Sequence, residues 1–112
     1  MTGAEPEREL GGVGTKVLFE NDRVRVWEMT LAPGERSAVH RHDLDYLLVF
    51  FAGDKIRVEP EPDSAGPYTD PLEFDVPIGR AFYVERGGIE TAINAGAEPY
   101  RELLIELKDA GR

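Results

Sequence analysis

The sequence predicts an all-β fold, a sandwich or barrel of eight or nine short strands. Three observations carry this. Short runs of β-branched and aromatic residues recur at regular spacing, with turn residues between them. The 12 glycines and 8 prolines fall largely at those breaks. The one stretch that could pass as a helix, 98–109, alternates Leu103, Ile105 and Leu107 on one face, which is strand periodicity.

In chain order, residues 1–14 have few apolar groups and three glycines near their end. They read as a flexible arm, with residues 15–109 forming the barrel domain. Val17 to Glu20 is a short strand closed by Asn21-Asp22. Arg23 to Leu31 follows, with Val24 and Val26 on one parity and Trp27, Met29 and Leu31 on the other. That change predicts a bulge near Trp27. Pro33-Gly34 turns the chain. Leu44 to Phe51 is apolar on both parities and reads as a strand buried on both faces. Lys55 to Glu59 is a strand, and a loop with four prolines spans 60–71. Leu72 to Val76, Ala81 to Val84, Ile89 to Asn94 and Tyr100 to Leu107 complete the set.

With 112 residues, the chain is long enough for one domain. Its 22 acidic and 13 basic residues give a net charge of −9, which argues against nucleic acid and anionic membrane surfaces as partners. The longest apolar run, Tyr46 to Ala52, is far short of a membrane span. With no apolar leader at residues 1–16, the expected location is the cytoplasm. The absence of cysteine excludes disulfides, thiolate metal sites and cysteine nucleophiles.

The two histidines, His40 and His42, are separated by one residue. On a strand, i and i+2 face the same way, so both imidazoles can address one ion. The alternative is a pair of half-exposed side chains beside Arg41 and Asp43. Ser37 and Ser64 lack a nucleophile elbow, and Gly11-Gly12-Val13-Gly14 lacks the context of a phosphate loop. Arg25, Arg36 and Arg41 can either orient a carboxylate ligand or pair with surface acids.

Two spaced motifs give the reading a family. Gly34-x5-His40-x-His42-x3-Tyr46-x6-Gly53 resembles the first motif of the cupins, with Tyr46 in place of the usual glutamate. Gly79-x5-Glu85-x-Gly87-x2-Glu90-x3-Asn94 resembles the second, with Glu85 in place of proline and Glu90 in place of histidine. The resemblance covers Val17 to Leu107 and implies the cupin double-stranded β-helix, a jelly-roll barrel. It also implies a divalent metal site of three histidines and a glutamate, three positions of which are filled here by His40, His42 and Glu90. Iron, manganese, nickel or zinc would suit such a set. Within the family, Asp22 to Glu28 and Pro33 to Arg36 resemble small acidic members associated with β-alanine catabolism.

Glu90 is then a ligand, or else a solvated glutamate at the barrel mouth. Tyr46 is a weak ligand, a hydrogen-bond donor, an acid/base group with a lowered pKa, or an aromatic core filler. By parity Leu48, Phe50, Phe82, Val84, Ala92 and Leu104, with Trp27 or Met29, line an apolar pocket for a small molecule. The functional expectation is a metalloenzyme of dioxygenase, isomerase or lyase type working on a small carboxylate- or carbonyl-bearing molecule. The alternative is a non-catalytic binding or sensor barrel with a lost or structural metal. A homodimer through the strand carrying Leu47, Val49 and Phe51 is expected from the resemblance and from the apolar outer face.

Overall fold

A computed structural model describes residues 9–109 of the chain. These form nine strands: β1 (Lys16–Glu20), β2 (Val24–Leu31), β3 (His40–Arg41), β4 (Tyr46–Ala52), β5 (Lys55–Pro60), β6 (Leu72–Asp75), β7 (Ala81–Val84), β8 (Ile89–Asn94) and β9 (Tyr100–Leu107). No helix is long and apolar enough to cross a membrane among these residues.

The turns follow from local chemistry. Asn21 Oδ1 accepts the backbone N–H groups of Arg23 and Val24 at 2.8 and 2.9 Å, closing the β1–β2 hairpin as an Asx turn. The four glycines of the two sequence motifs, Gly34, Gly53, Gly79 and Gly87, are the described glycines with positive φ. At Gly53 a Cβ would also meet Tyr100 at 2.9 Å, so φ and space both demand glycine there.

The strands pair antiparallel into two sheets, ordered β1-β2-β9-β4-β7 and β3-β8-β5-β6. Between them lies one core, with Met29, Leu31, Tyr46, Phe50, Tyr100 and Leu104 from the five-stranded sheet against Ile56 and Ala92 from the four-stranded one. Full burial of such side chains contributes about 1.5–3 kcal/mol each. The alternation on β9 places Tyr100, Glu102, Leu104 and Glu106 inward and Leu103, Ile105 and Leu107 outward.

Three local expectations differ from the structure. The predicted bulge at Trp27 lies instead on the opposing strand. β2 runs in unbroken register against β9, while β1 shifts register between Val17 and Phe19 opposite Trp27 and Val26. Apolar residues on both parities of β2 reflect an outer face that is itself apolar: Val26 there pairs with Ile105, and Val24 with Leu107. For the same reason Leu44 to Phe51 is not buried on both faces. Tyr46 and Phe50 are buried, whereas Leu47 and Val49 are half-buried and Phe51 is exposed, because the described residues supply no second layer over them.

The third concerns the arm. Residues 1–8 lie outside the described residues, but packing begins well before residue 15. Gly11 N donates to Val39 O at 2.8 Å, and Val13 is 5% exposed in the core cluster. A Cβ at Gly12 would meet the Trp27 indole at 2.8 Å and one at Gly14 the Trp27 Cβ at 2.8 Å, so these glycines let the backbone lie close against β2.

Candidate metal centre

The site is assembled by one strand pairing. His40 on β3 lies directly opposite Glu90 on β8. The ladder continues past β3, with His42 N donating to Gly88 O at 2.8 Å and Gly87 N donating to His42 O at 2.9 Å. That fixes His42 on the same face, two residues along. Gly88 leaves room for the carboxylate, since a Cβ there would meet Glu90 Oε1 at 3.0 Å. The proline loop is stitched over the start of β8. Ala65 N donates to Gly87 O at 2.9 Å, and Ile89 N donates to Ser64 Oγ at 3.0 Å.

His40, His42 and Glu90 are all buried, at 2%, 3% and 8% exposure. One ligand atom from each lies within 4.8 Å of the others. Glu90 Oε2 is 3.3 Å from His42 Nε2 and 3.9 Å from His40 Nε2. His40 Nδ1 is 3.0 Å from the Ala38 carbonyl oxygen, an acceptor, so Nδ1 carries the proton and Nε2 presents a lone pair toward Glu90. Burial, then neighbouring His42, holds His40 below the usual imidazole range, which keeps it in the neutral, metal-binding form. Two imidazoles and one carboxylate fit a divalent transition ion and leave coordination positions open. The Ala38 carbonyl orients the His40 ring, whereas the buried Nδ1 of His42 has no hydrogen-bond partner.

Tyr46 stands where the family motif carries glutamate, but its ring does different work. It stacks on His42, with centroids 4.2 Å apart and planes 18° from parallel. The imidazole plane is thus fixed by an aromatic face. Burial first, then the charges of Glu90 and its neighbours, holds the phenol well above its ordinary pKa. This is opposite to the lowered pKa considered from the sequence: Tyr46 keeps its proton and can donate a hydrogen bond, not act as a phenolate base.

The three residues line a cavity of about 50 Å³ inside the barrel. Of the parity-derived wall, Met29, Leu48, Phe50, Ala92 and Leu104 line it. Phe82 and Val84 line an adjoining open groove of about 450 Å³ instead, between edge strands β6 and β7. Both spaces share Leu48, Phe50, Tyr68, Leu72 and Phe74. Trp27 lines neither, and its Nε1 donates to Glu106 at 2.7 Å.

The candidate arginines do not line the cavity. Arg36 pairs with Glu59 at 3.1 Å, Arg41 with Asp43 at 2.7 Å, and Arg25 with Glu106 at 3.4 Å. Ser37 and Ser64 serve as backbone acceptors beside β8, with Ala92 N donating to Ser37 Oγ at 3.0 Å.

Sequence reasoning missed the inward polar side of β9. Tyr100 donates its hydroxyl to Glu102, and both line the cavity. Burial pushes the Glu102 carboxyl up to about 8. The signal was available: once Leu104 is placed inward, period two puts Glu102 and Tyr100 inward as well.

No family model matches the chain. It is 27% identical over 94 residues to "Auxin-binding protein T85" and 25% identical over 93 residues to "Auxin-binding protein T92", both from Nicotiana tabacum. These alignments cover 83% and 82% of this chain but 50% and 49% of the relatives, so the chain spans about half their length. Among solved structures it is similar to a cupin domain from Bordetella pertussis, with a TM-score of 0.72 and 23% identity over 92% of this chain and 99% of that one. A cupin superfamily protein from Desulfitobacterium hafniense gives 0.60 at 20% identity, covering 93% and 84%. An RmlC-like cupin from Methanocaldococcus jannaschii gives 0.63 at 14%, covering 94% and 92%. The fold is the cupin double-stranded β-helix, as the two motifs implied.

Proposed function

We propose that this chain is a small metal-binding cupin, and a metalloenzyme acting on a small carboxylate- or carbonyl-bearing molecule at His40, His42 and Glu90. The observation that carries the reading is the convergence of these three buried side chains within 4.8 Å on one face of the β3–β8 pair. A buried carboxylate beside two imidazoles is costly unless the group binds a cation or shares protons. When bound, iron, manganese, nickel or zinc would supply a Lewis acid, or for iron a dioxygen-binding centre. Around it, Tyr46 orients His42 through the ring stack and holds a proton for donation. The apolar walls exclude water from the ligand.

Elemental analysis of tag-free protein tests this. About one divalent ion per protomer is expected in the wild type, falling in both His40→Ala/His42→Ala and Glu90→Gln. No ion after reconstitution with iron, manganese, nickel and zinc would overturn it.

A second reading is a non-catalytic binding barrel. It is favoured by the small cavity, about 50 Å³, and by relatives named as binding proteins. Slowly exchanging, fully coordinated zinc without turnover supports it, and an exchangeable ion carrying water supports catalysis. In either case we place a second copy of the chain over the outer face of the five-stranded sheet, where Leu47, Val49 and Phe51 leave an apolar surface. A monomer in sedimentation at micromolar concentration would exclude that dimer.

A further inference from the structure

The cavity holds a second carboxyl besides Glu90. Glu102 projects from β9, on the other sheet, and is 7% exposed. Among the described residues no Lys or Arg pairs with it, and its hydrogen-bond partner is the Tyr100 hydroxyl. No Lys or Arg lines the cavity either; beyond the His/His/Glu group its polar lining is Tyr46, Tyr68, Tyr100 and Glu102. A carboxylate taken out of water without a cation is strongly disfavoured, so the protonated acid is the stable form. With Tyr100 donating to one oxygen, that acid has one O–H to give, and it sits in the wall of the cavity.

We propose that Glu102, held by Tyr100, is a ligand-binding acid that donates its proton in a hydrogen bond to the polar head of a molecule seated at His40, His42 and Glu90, and so selects an uncharged or singly negative oxygen-bearing ligand. This rests on the metal-site reading above. A divalent ion with the one carboxylate of Glu90 leaves a single positive charge, which suits one carboxylate or a polarised carbonyl. A neutral Glu102 preserves that charge and adds a donor, whereas an ionised Glu102 would cancel it and repel the head. Burial, the largest influence on Glu102, and the charge of Glu90 favour the neutral acid, while the Tyr100 hydrogen bond works against them. Tyr100 on β9, Tyr46 on β4 and Tyr68 in the proline loop are phenols whose pKa is raised by burial. Glu90 on β8, beside His40 and His42, adds negative charge until a bound ion offsets it, and burial, the larger cause, remains when the ion is present. Met29 and Phe50, its cross-strand neighbours, are apolar.

Infrared spectroscopy with acetate as the probe tests the proposal. Near pH 6.5 the wild type should show the C=O stretch of a protonated carboxyl. It should vanish in Glu102→Gln, remain in Glu90→Gln, and shift on adding acetate. In cobalt(II)-loaded protein, followed by visible absorption, Glu102→Met should weaken acetate about tenfold, while Glu102→Gln, which keeps a donor, stays within about threefold. A missing band, a band that survives Glu102→Gln, or a band unmoved by saturating acetate overturns the proposal. So does unchanged acetate affinity in Glu102→Met. If the wild type takes up no cobalt, the metal reading fails by itself. The acetate-induced band shift in metal-free protein then decides the role of Glu102.

Discussion

Two glutamates line one cavity from opposite sheets, buried to nearly the same degree, and their surroundings make them different acids. Glu90 on β8 faces two imidazoles at 3.3 and 3.9 Å. Glu102 on β9 faces a phenol and carries a carboxyl pushed up to about 8, by burial first and Glu90 second. The residue type is the same; the neighbours decide whether it is placed where it could ligate a cation or where the neutral acid is favoured. A third inward acid, Glu106, completes the series. It accepts the Trp27 indole N–H at 2.7 Å and lies 3.4 Å from Arg25, so it holds the barrel wall together.

The largest expected effect breaks the contrast at Glu90. His42→Ala should abolish metal retention while circular dichroism still reports a folded β protein, because the core cluster does not include the histidines. Next comes the pH dependence of stability. Glu102 has a folded pKa raised from 4.5 to about 8, so its contribution is fully present below the unfolded value. That contribution is lost as pH rises from about 4.5 through about 8. Denaturant melts across this range should therefore flatten in Glu102→Gln relative to wild type. A smaller effect separates Glu106 from Glu102. Glu106→Leu strands the Trp27 N–H and leaves Arg25 only its pairing with Glu20, a loss of about 1–3 kcal/mol in urea unfolding. Smaller still, Tyr46→Leu removes the stack and should weaken metal binding about tenfold, whereas Tyr46→Phe keeps it, as competition with a chelator would measure. Arg41→Ala, which touches an exposed pair, should shift neither metal content nor unfolding by more than about 0.5 kcal/mol.

These differences also explain what was legible in the sequence. The fold was readable because turn chemistry is local: Gly34, Gly53, Gly79 and Gly87 occupy the positive-φ positions that both motifs mark. The meeting of His40, His42 and Glu90 on one face was readable because motif spacing encodes their cross-strand register. Glu102 was hidden because β9 reverses the usual code. Its aliphatic residues Leu103, Ile105 and Leu107 face outward and its acids face in, so hydrophobicity points to the wrong side. Val13 was missed because its burial in the core cluster depends on residues 11–14 lying against the barrel, an approach that Gly12 and Gly14 permit beside Trp27 and no local pattern announces. The stack of Tyr46 on His42 is likewise a matter of ring orientation, which spacing does not carry.

The place of β9 in its sheet has a consequence for how the chain is made. It is the last of the described strands in sequence, yet it sits at the centre, between β2 and β4. During vectorial synthesis β2 can pair with β1 and β4 with β7, but the two pairs cannot be joined until residues 100–107 have emerged, and closure must join segments roughly 70 to 80 positions apart in the chain. Until then, β2 and β4 each wait with one backbone edge unpaired, the condition under which nascent chains associate wrongly. The strand that carries the cavity's second acid is therefore also the latch on which productive folding depends.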